Sequence, residues 1–479
     1  MTPSGSGGVS ALDAQIHPRT DAAVVLAPAQ RVVLWASLAG AVVFALWDWF
    51  FALCATNLLL AALYFAAFAA KLTLMAQAAR RDPRVRVSTA ELAALRETEL
   101  PIYTILLPMY HEARVVPSLL RALEAMDYPA ARLDIKFLLE SDDEPTRLAL
   151  QEARTRLHVE LVLAPAAGPR TKPRACNEGL ARARGEFTVI YDAEDRPEPD
   201  QLLKAVAAFR RLPRHIACLQ CSLDFYNRRQ NWLTRQFTIE YAAWFDLFLP
   251  GLHAAGLPIP LGGTSNHFRT TALRAAGGWD PYNLTEDCEL GMHLHAMGNR
   301  TGILDSTTWE EATARLGPWI RQRSRWAKGY MQTFLVLMRH PFRTAERLGG
   351  WGMFGFLAVV GVFTLAQIVN PVYWVIGGLH LVIGWRILYP DNAVSVFFFV
   401  IALLLAAGNL MFIAANLLAA HRRGGGRFYC DAILSPVCWM LGSVAAWRGV
   451  AQLATCPFQW EKTSHGETEP TLAVDLAPP

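Results

Sequence analysis

Apolar and polar residues are unevenly distributed along this chain of 479 residues. Two regions, 32–78 and 352–454, are overwhelmingly apolar, whereas residues 80–345 between them carry most of the charge. A helix needs ~20 apolar residues to cross the hydrocarbon core of a bilayer. The pattern therefore predicts an integral membrane protein with one large polar domain between two groups of membrane helices.

The first apolar region predicts a pair of crossings. Residues 1–30 are rich in Gly, Ser, Ala and Pro without a period, which predicts a disordered tail. Residues 31–79 are expected to form a transmembrane hairpin, with crossings at 32–47 and 58–75 and a short loop at 48–57.

Arginines flank this hairpin on both sides. Cytoplasmic flanks of membrane helices carry an excess of Lys and Arg, so both ends of the hairpin are expected in the cytoplasm. The polar domain is then cytoplasmic, in a multi-pass protein of the inner cell membrane. The flanking residues are Arg31 before the hairpin and Arg80, Arg81, Arg84 and Arg86 after it.

Four apolar runs in the polar domain predict buried strands. They lie at 103–107, 134–140, 159–165 and 186–195, and they alternate with helical patterns. Strands that alternate with helices imply an open, mostly parallel sheet. We therefore expect an α/β domain over residues 80–317.

Acidic residues follow three of these runs: Glu112, the cluster 140–143, and the turn 192–195. Ligands of parallel sheets bind at the carboxyl ends of the strands, so these acids are expected to share one site. Carboxylates on a tight turn could hold Mg²⁺ or Mn²⁺ between two phosphates. An ordinary acidic turn is the alternative for any one of them.

A second candidate group lies on a helix in the segment 318–350. Gln322, Arg325 and Trp326 stand at i, i+3 and i+4 and share one helix face. The guanidinium fork matches phosphate oxygens, and the indole offers a flat apolar face to a pyranose ring. The trio therefore suits a sugar acceptor beside a nucleoside diphosphate. The alternative is a basic amphipathic helix at a membrane surface.

Six ordered segments together resemble the inverting family 2 glycosyltransferases, especially the cellulose, hyaluronan, chitin and mannan synthases of membranes. They are LPMYHE, LLESDDE, TKPRACNEGL, YDAED, LTEDCELG and RQRSRW, and the likeness covers about residues 100–465. The resemblance implies a Rossmann-like GT-A domain between membrane helices. It also implies a nucleotide-sugar donor such as UDP-glucose or a similar UDP-hexose, with Mg²⁺ or Mn²⁺ as cofactor.

The resemblance assigns roles to individual residues. Asp287 matches the catalytic base, and an inverting transfer indeed needs one carboxylate base without a carboxylate nucleophile. Thr285 is also a candidate N-cap, and both roles can hold together. The nucleotide-sugar positions are Glu112, Glu140, Asp142, Lys172, Asn177, Asp192 and Arg325. The metal positions are Asp192 with Glu194 or Asp195, and the acceptor positions are Gln322, Trp326 and Glu286.

The second apolar region, 351–455, predicts further transmembrane and interfacial helices. The stretch 352–385 is either one crossing or a tight pair broken near Asn370-Pro371, and we favour one crossing. The stretch 393–420 then crosses towards the basic HRRGGGR. Residues 430–454 are expected to form an interfacial helix or a re-entrant hairpin.

The tail 456–479 stands where the related synthases carry a gating loop. Its Phe458, Trp460, Lys462 and Thr463 are similar to that loop in aromatic, basic and hydroxyl content. Lys462 could cover the diphosphate when donor is bound and exclude water. A basic-aromatic membrane anchor is the alternative.

Composition limits the functional classes. The net charge is only +4 and the basic residues cluster at membrane flanks and in the expected site, so no nucleic-acid partner is expected. The leading hypothesis is a processive synthase that extends a β-linked glycan and passes it through its membrane helices, with export partners left open. The alternatives are a single transfer to a lipid acceptor and an inactive secretion or receptor component.

Overall fold

The computed structural model describes residues 21–165, 168–383 and 393–461. Its polar domain is built on one eight-stranded sheet. The strands are β1 Tyr103–Met109, β2 Leu133–Glu140, β3 Val159–Ala164, β4 Phe187–Ile190, β5 Arg196–Pro197, β6 Ile216–Phe225, β7 Asn266–Arg269 and β8 Arg300–Glu310. Their order across the sheet is β3-β2-β1-β4-β7-β6-β8-β5.

The four strands predicted from the sequence form the parallel half of this sheet. β1 pairs in parallel with β2 on one side and β4 on the other, and β2 pairs in parallel with β3. β6 and β8 are also parallel, whereas the other three pairings are antiparallel. The α/β class is confirmed, and the strand order reverses beside β1, where such folds bind their ligands.

Helices form around this sheet and beyond it. They are α1 Pro28–Trp47, α2 Trp49–Arg80, α3 Thr89–Ala93, α4 Val116–Glu124, α5 Glu144–Glu152, α6 Lys172–Ala181, α7 Gln201–Arg211, α8 Trp232–Tyr241, α9 Leu249–Ala254, α10 Thr270–Ala275, α11 Glu286–Ala296, α12 Leu316–Leu337, α13 Pro341–Phe356, α14 Phe363–Ile383, α15 Ala393–Arg423, α16 Tyr429–Ile433 and α17 Ser435–Thr455. Two π-helical segments, Ala242–Phe248 and Leu357–Val362, join α8 to α9 and α13 to α14.

β1, β2 and β4 are buried on both faces, which explains why they are apolar runs rather than alternating patterns, whereas the edge strand β3 is partly exposed. Successive residues of β1 show this. Leu106 belongs to the core on one face of the sheet, whereas Ile105 and Leu107 belong to the core on the other. All three side chains are fully buried. The sheet therefore holds the ends of its strands rigidly.

Within the described residues, four helical stretches are long and apolar enough to cross a membrane. They are Pro28–Trp47, Trp49–Arg80, Pro341–Val375 and Val396–Arg423. The helix continues through Pro371, in line with the single crossing that we favoured. Gly425–Ile433 and Ser435–Thr455 are bent by 56° to each other and together could be a broken span or a re-entrant element.

The N-terminal region differs from its prediction in two places. Asp48 alone separates the first two helices. Its side chain accepts a hydrogen bond from Phe51 N at 2.9 Å and caps the start of α2. Asn57 therefore lies inside α2 and not in the predicted loop. Residues 21–27 were expected to be disordered. Instead, Ala22 N donates to Asp280 Oδ2 at 2.7 Å and Val24 O accepts from Arg339.

A buried ion cluster ties the domain to the membrane helices. Arg423, at the end of α15, donates to Asp246 Oδ2 at 2.6 Å and to Asp246 Oδ1 at 2.7 Å. Its guanidinium also lies 3.1 Å from Asp224 near the end of β6. None of the three side chains is more than 13% exposed. A membrane helix is thus joined to the sheet near the end of β6.

Candidate active site

One cavity of about 810 Å³ opens at the carboxyl ends of the strands. Asp192 after β4, Asp287 at the start of α11 and Arg325 on α12 all line it. The same cavity continues between membrane helices, where Lys71 of α2 and Asn416 of α15 contribute to its wall. These three predicted site residues therefore face one space.

Lys172 links the acidic turn to the loop before β7. It is the first residue of α6, and its ammonium donates to the Asp192 carboxylate and to Gly263 O, the latter at 2.7 Å. A Cβ added to Gly263 would lie 3.5 Å from Asp287 Oδ2 and 3.8 Å from Lys172 Nζ. Lys172, Asp192 and Asp287 therefore converge around a glycine, which leaves room for a substrate.

The start of α11 carries two adjacent carboxylates with different protonation. Burial raises the pKa of Asp287 to about 6, against the opposing effects of a backbone hydrogen bond from Cys288 and the charges of Lys172 and Arg325. Burial and then the charge of Asp287 raise the pKa of Glu286 to about 8. At neutral pH, Asp287 is therefore mostly ionised while Glu286 holds a proton. Thr285 occupies the N-cap position, but its side chain makes no capping bond.

The carboxylates of the acidic turn 192–195 do not all face the cavity. Asp192 and Glu194 line the cavity. Asp195 is 1% exposed and turns inward, where its Oδ2 accepts from Asp192 N at 2.7 Å and from the Thr264 hydroxyl. The prediction left Glu194 and Asp195 as alternatives for the second metal ligand, and this geometry favours Glu194. Asp195 instead positions the turn.

A divalent cation fits the charge of this region. Glu310, at the end of β8, also lines the cavity, and burial together with Asp195, Glu194 and Asp192 raises its pKa well above the usual range. Such crowding of negative charge is what a bound cation relieves. Within the described ranges, no three His, Cys, Asp or Glu side chains are grouped to hold a metal by themselves. Asp192 and Glu194 would therefore hold Mg²⁺ or Mn²⁺ together with donor phosphates, as is common for Mg²⁺.

Of the predicted nucleotide-sugar positions Glu112, Glu140 and Asp142, the first two line the cavity and the third does not. Glu140, at the end of β2, lines the cavity beside Arg170, as does Glu112. Asp142 lies outside the cavity wall and forms an ion pair with Arg170 at 2.6 Å. It could therefore orient Arg170 rather than contact a nucleotide.

The prediction for Asn177 needs correction. Its amide nitrogen donates to Trp279 O at 2.7 Å, and its amide oxygen accepts from Trp279 N at 2.9 Å. The side chain is 5% exposed, and a Cβ on Gly278 would lie 2.2 Å from its oxygen. Asn177 therefore holds the loop before α11 in place and is not turned towards the cavity.

Helix α12, which carries Gln322, Arg325 and Trp326, presents its predicted face to the cavity. Gln322, Arg325 and Trp326 all line it. Gln322 Oε1 accepts from the Thr313 hydroxyl at 3.3 Å, and Trp326 packs edge-on against Phe237. The Arg325 Nε is buried and has no hydrogen-bond partner within the described part of the chain. That nitrogen is available for an anionic ligand.

The chain after α17 folds over this helix. Trp460 stacks on the Arg325 guanidinium with 4.4 Å between the guanidinium carbon and the ring centroid, and Phe458 also lines the cavity. Lys328 of α12 donates to Cys456 O at 3.1 Å and to Gln459 O at 3.2 Å. The aromatic half of the predicted gating loop thus covers the cavity, whereas Lys462 and Thr463 lie outside the described residues.

Sequence reasoning missed Glu310 and Lys71. Glu310 ends a strand just as Glu140 does, so the rule of acidic strand ends would have found it had residues 300–310 been recognised as a strand. That strand is rich in Thr and Ser, which weakened the pattern. Lys71 was visible only as one charge in an apolar run.

Comparisons with known proteins agree with this geometry. Residues 187–414 match the family model for glycosyl transferase family group 2. A relative described as probable glycosyltransferase YdaM of Bacillus subtilis is 26% identical over 294 residues, which cover 60% of this chain and 70% of that protein. The chain therefore contains a glycosyltransferase domain. Residues 187–414 are similar to glycosyl transferase family group 2.

Two further relatives differ in their products. Beta-monoglucosyldiacylglycerol synthase of Trichormus variabilis is 25% identical over 278 residues, covering 56% of this chain and 58% of that protein. Probable glucomannan 4-beta-mannosyltransferase 3 of Oryza sativa is 28% identical over 310 residues, covering 62% and 54%. The matches thus span little more than half the length of these two relatives.

Among solved structures, the mannosyltransferase PcManGT from Pyrobaculum calidifontis, in complex with GDP-Man and Mn²⁺, is 18% identical. It aligns over 83% of this chain and 99% of that chain, with a TM-score of 0.47.

Proposed function

We propose that this protein is a membrane-bound inverting glycosyltransferase. It transfers a sugar from a nucleoside diphosphate sugar, a UDP-hexose by resemblance, to a hydroxyl of a growing β-linked glycan. The observation that carries the proposal is the shared cavity, where a candidate base, an acidic turn and a guanidinium meet. The arginines after α2 support placing the domain in the cytoplasm.

In this proposal Asp287 is the general base. It takes the proton from the acceptor hydroxyl while that oxygen forms a bond to the anomeric carbon. The bond from the anomeric carbon to the diphosphate oxygen breaks, and the nucleoside diphosphate leaves with the electron pair. Attack opposite the leaving group inverts the configuration. Glu286, protonated at neutral pH, can donate a hydrogen bond without competing for the proton.

Positive charge must stabilise the leaving diphosphate. Lys172 and Arg325 both line the cavity and their charges both act on Asp287, and the Nε of Arg325 is unpaired in the described structure. A divalent cation held by Asp192 and Glu194 would add charge neutralisation at the phosphates. Donor binding would also relieve the ion pair that Lys172 now makes with Asp192.

The membrane end of the cavity supports a glycan acceptor. Gln367 and Asn370 contribute amide groups to its wall among the membrane helices. Trp326 and Trp460 supply flat faces nearer the base. A polyhydroxylated chain needs such groups, and passage through the membrane helices is part of the proposal.

A lipid acceptor is the second candidate. The relative named for monoglucosyldiacylglycerol synthesis favours it, and so does the continuity of the cavity with the membrane helices. A lipid hydroxyl could reach Asp287 by the same path.

The product separates these proposals. Membranes containing the protein are incubated with a radiolabelled UDP-hexose and Mn²⁺, and the labelled product is sized and partitioned. We expect polymer that resists organic extraction, and we expect a chelator to abolish its formation. Label that partitions wholly into solvent would contradict the glycan proposal and support the lipid acceptor. An absence of donor turnover across a panel of nucleotide sugars would contradict enzymatic function.

The pH dependence follows from the protonation of Asp287. A base acts only when ionised, and the pKa of Asp287 is raised to about 6. The value of kcat/KM should therefore fall as the pH decreases through about 6, because this parameter reports the free enzyme. It is measured from initial rates between pH 5 and 8, in roughly half-unit steps.

Glu286→Gln provides the control for this profile. Glu286 is already protonated near pH 6, since its pKa is raised to about 8. Its replacement by an uncharged amide should leave the midpoint of the acid limb in place, whatever its effect on the rate. A limb that moves with Glu286 would mean that Glu286, and not Asp287, carries the titration.

A further inference from the structure

Lys71 lies at the boundary between the domain and the membrane helices. It belongs to α2, within a stretch that is apolar enough to cross a membrane. Three residues later, Leu74 packs on the domain so closely that a Cβ on Gly251 would lie 2.6 Å from Leu74 O. Three residues advance a helix by about 4.5 Å. Lys71 is therefore about one helical turn further into the bundle of apolar helices than this contact with the domain.

Four aromatic rings surround the Lys71 ammonium. Its Nζ lies 4.7 Å from the ring centroid of Phe412, 4.9 Å from Phe363, 5.1 Å from Phe248 and 5.9 Å from Trp244. These rings attract a cation but accept no ordinary hydrogen bond, whereas an ammonium has three N–H donors. Across the described ranges, the ammonium makes no hydrogen bond and no ion pair. It faces the cavity that also contains Asp287.

The charge of Lys71 is not balanced nearby. Glu240 is the carboxylate whose charge reaches it, but Glu240 already forms an ion pair with Arg323. Asn416, 5% exposed, also lines this part of the cavity, and its amide has no hydrogen-bond partner in the part of the chain that the structure describes. A cation and an amide donor therefore face the same space without an acceptor.

We propose that Lys71 and Asn416 form a subsite for the phosphate group of a membrane lipid. An ionisable residue within membrane helices is costly and commonly marks a functional site. A phosphate supplies the negative charge that Lys71 needs and acceptor oxygens for the N–H groups of Lys71 and Asn416. The acyl chains of the lipid would lie against the aromatic rings and the membrane helices. A neutral sugar would leave the ammonium unbalanced. Free phosphate would lose hydration without gaining apolar contact.

This subsite goes beyond the proposed function, because neither the donor nor the base requires it. It is tested by binding in the absence of donor. The purified full-length protein in detergent is equilibrated with equal amounts of phosphatidic acid and diacylglycerol of the same acyl chains, and retained lipid is counted by native mass spectrometry. The wild type should prefer phosphatidic acid by about tenfold, which corresponds to one charge-assisted hydrogen bond.

Lys71→Met should abolish this preference, and Lys71→Arg should keep it. Asn416→Leu should weaken it, which provides a second readout if Lys71→Met does not fold. The matched control is Arg80→Met, which removes an exposed cation at the end of the same helix and should leave the preference unchanged.

Three outcomes would overturn the subsite. They are equal retention of both lipids by the wild type, an undiminished preference in Lys71→Met, and an equal loss in Arg80→Met and Lys71→Met. Displacement of the lipid by millimolar inorganic phosphate would assign the position to the free ion and overturn the lipid proposal. Failure of sugar transfer would not change any of these binding results.

Discussion

Replacement of Asp287 by asparagine should lower the transfer rate by about 10²–10⁴-fold, the usual contribution of a general base. The amide keeps the size of the side chain but cannot take the proton of the acceptor hydroxyl. Donor affinity should change little, since Lys172, Arg325 and the acidic turn remain. The measurement pairs single-turnover transfer rates with titration of the nucleoside diphosphate by calorimetry.

Glu289→Gln is the matched control for this substitution. Glu289 lies two residues further along the first turn of α11, and burial raises its pKa to about 7, but it does not belong to the cavity wall. Its transfer rate should stay within a few-fold of wild type. Equal losses of transfer and donor binding in Asp287→Asn would show that Asp287 holds the donor and that the base lies elsewhere.

Arg423→Met should destabilise the protein by about 3–5 kcal/mol, the cost of removing one partner from a buried ion pair. The substitution leaves Asp246 buried without the cation that it pairs with, while Asp224 keeps only Arg228, at 3.5 Å. The methionine fills much of the volume, so the loss reflects charge rather than a cavity. The midpoint of thermal unfolding in detergent should fall strongly, with loss of transfer activity at temperatures where wild type is folded.

The neighbouring residue offers a close comparison for Arg423. Arg422 Nη2 donates to Ala79 O at 3.0 Å and belongs to no buried ion cluster. Arg422→Met should therefore cost only about 1 kcal/mol, the typical value of one hydrogen bond. If both variants unfolded at the same temperature, the cluster of Arg423 would not be what joins the domain to α15.

Much of the fold could be predicted from local pattern. β1, β2 and β4 are apolar runs because both of their faces are covered, and a run followed by acids indicates a strand that ends at a ligand site. β8 was missed because its Thr and Ser residues alternate with only a few apolar ones. The same weakness hid Glu310, which ends that strand.

Residue type alone could not separate site residues from their supports. Asn177 and Lys172 lie on the same short helix, yet Asn177 bonds the backbone of Trp279 while Lys172 reaches Asp192. Glu194 and Asp195 are adjacent carboxylates on one turn. Glu194 lines the cavity, whereas Asp195 is buried and does not belong to the cavity wall. Which way each side chain turns depends on residues distant in sequence, such as Thr264.

By itself, the sequence determined that apolar helices bracket an α/β domain and that acids follow its buried strands. Those features follow from burial and from periodicity, which are local. Only the tertiary structure decided that Asp192, Asp287 and Arg325 line one cavity, and that the cavity continues to Lys71. Lys71 and Asp287 are more than 200 residues apart in the sequence, yet both line this cavity because the membrane helices pack on the sheet. No local sequence pattern encodes that packing.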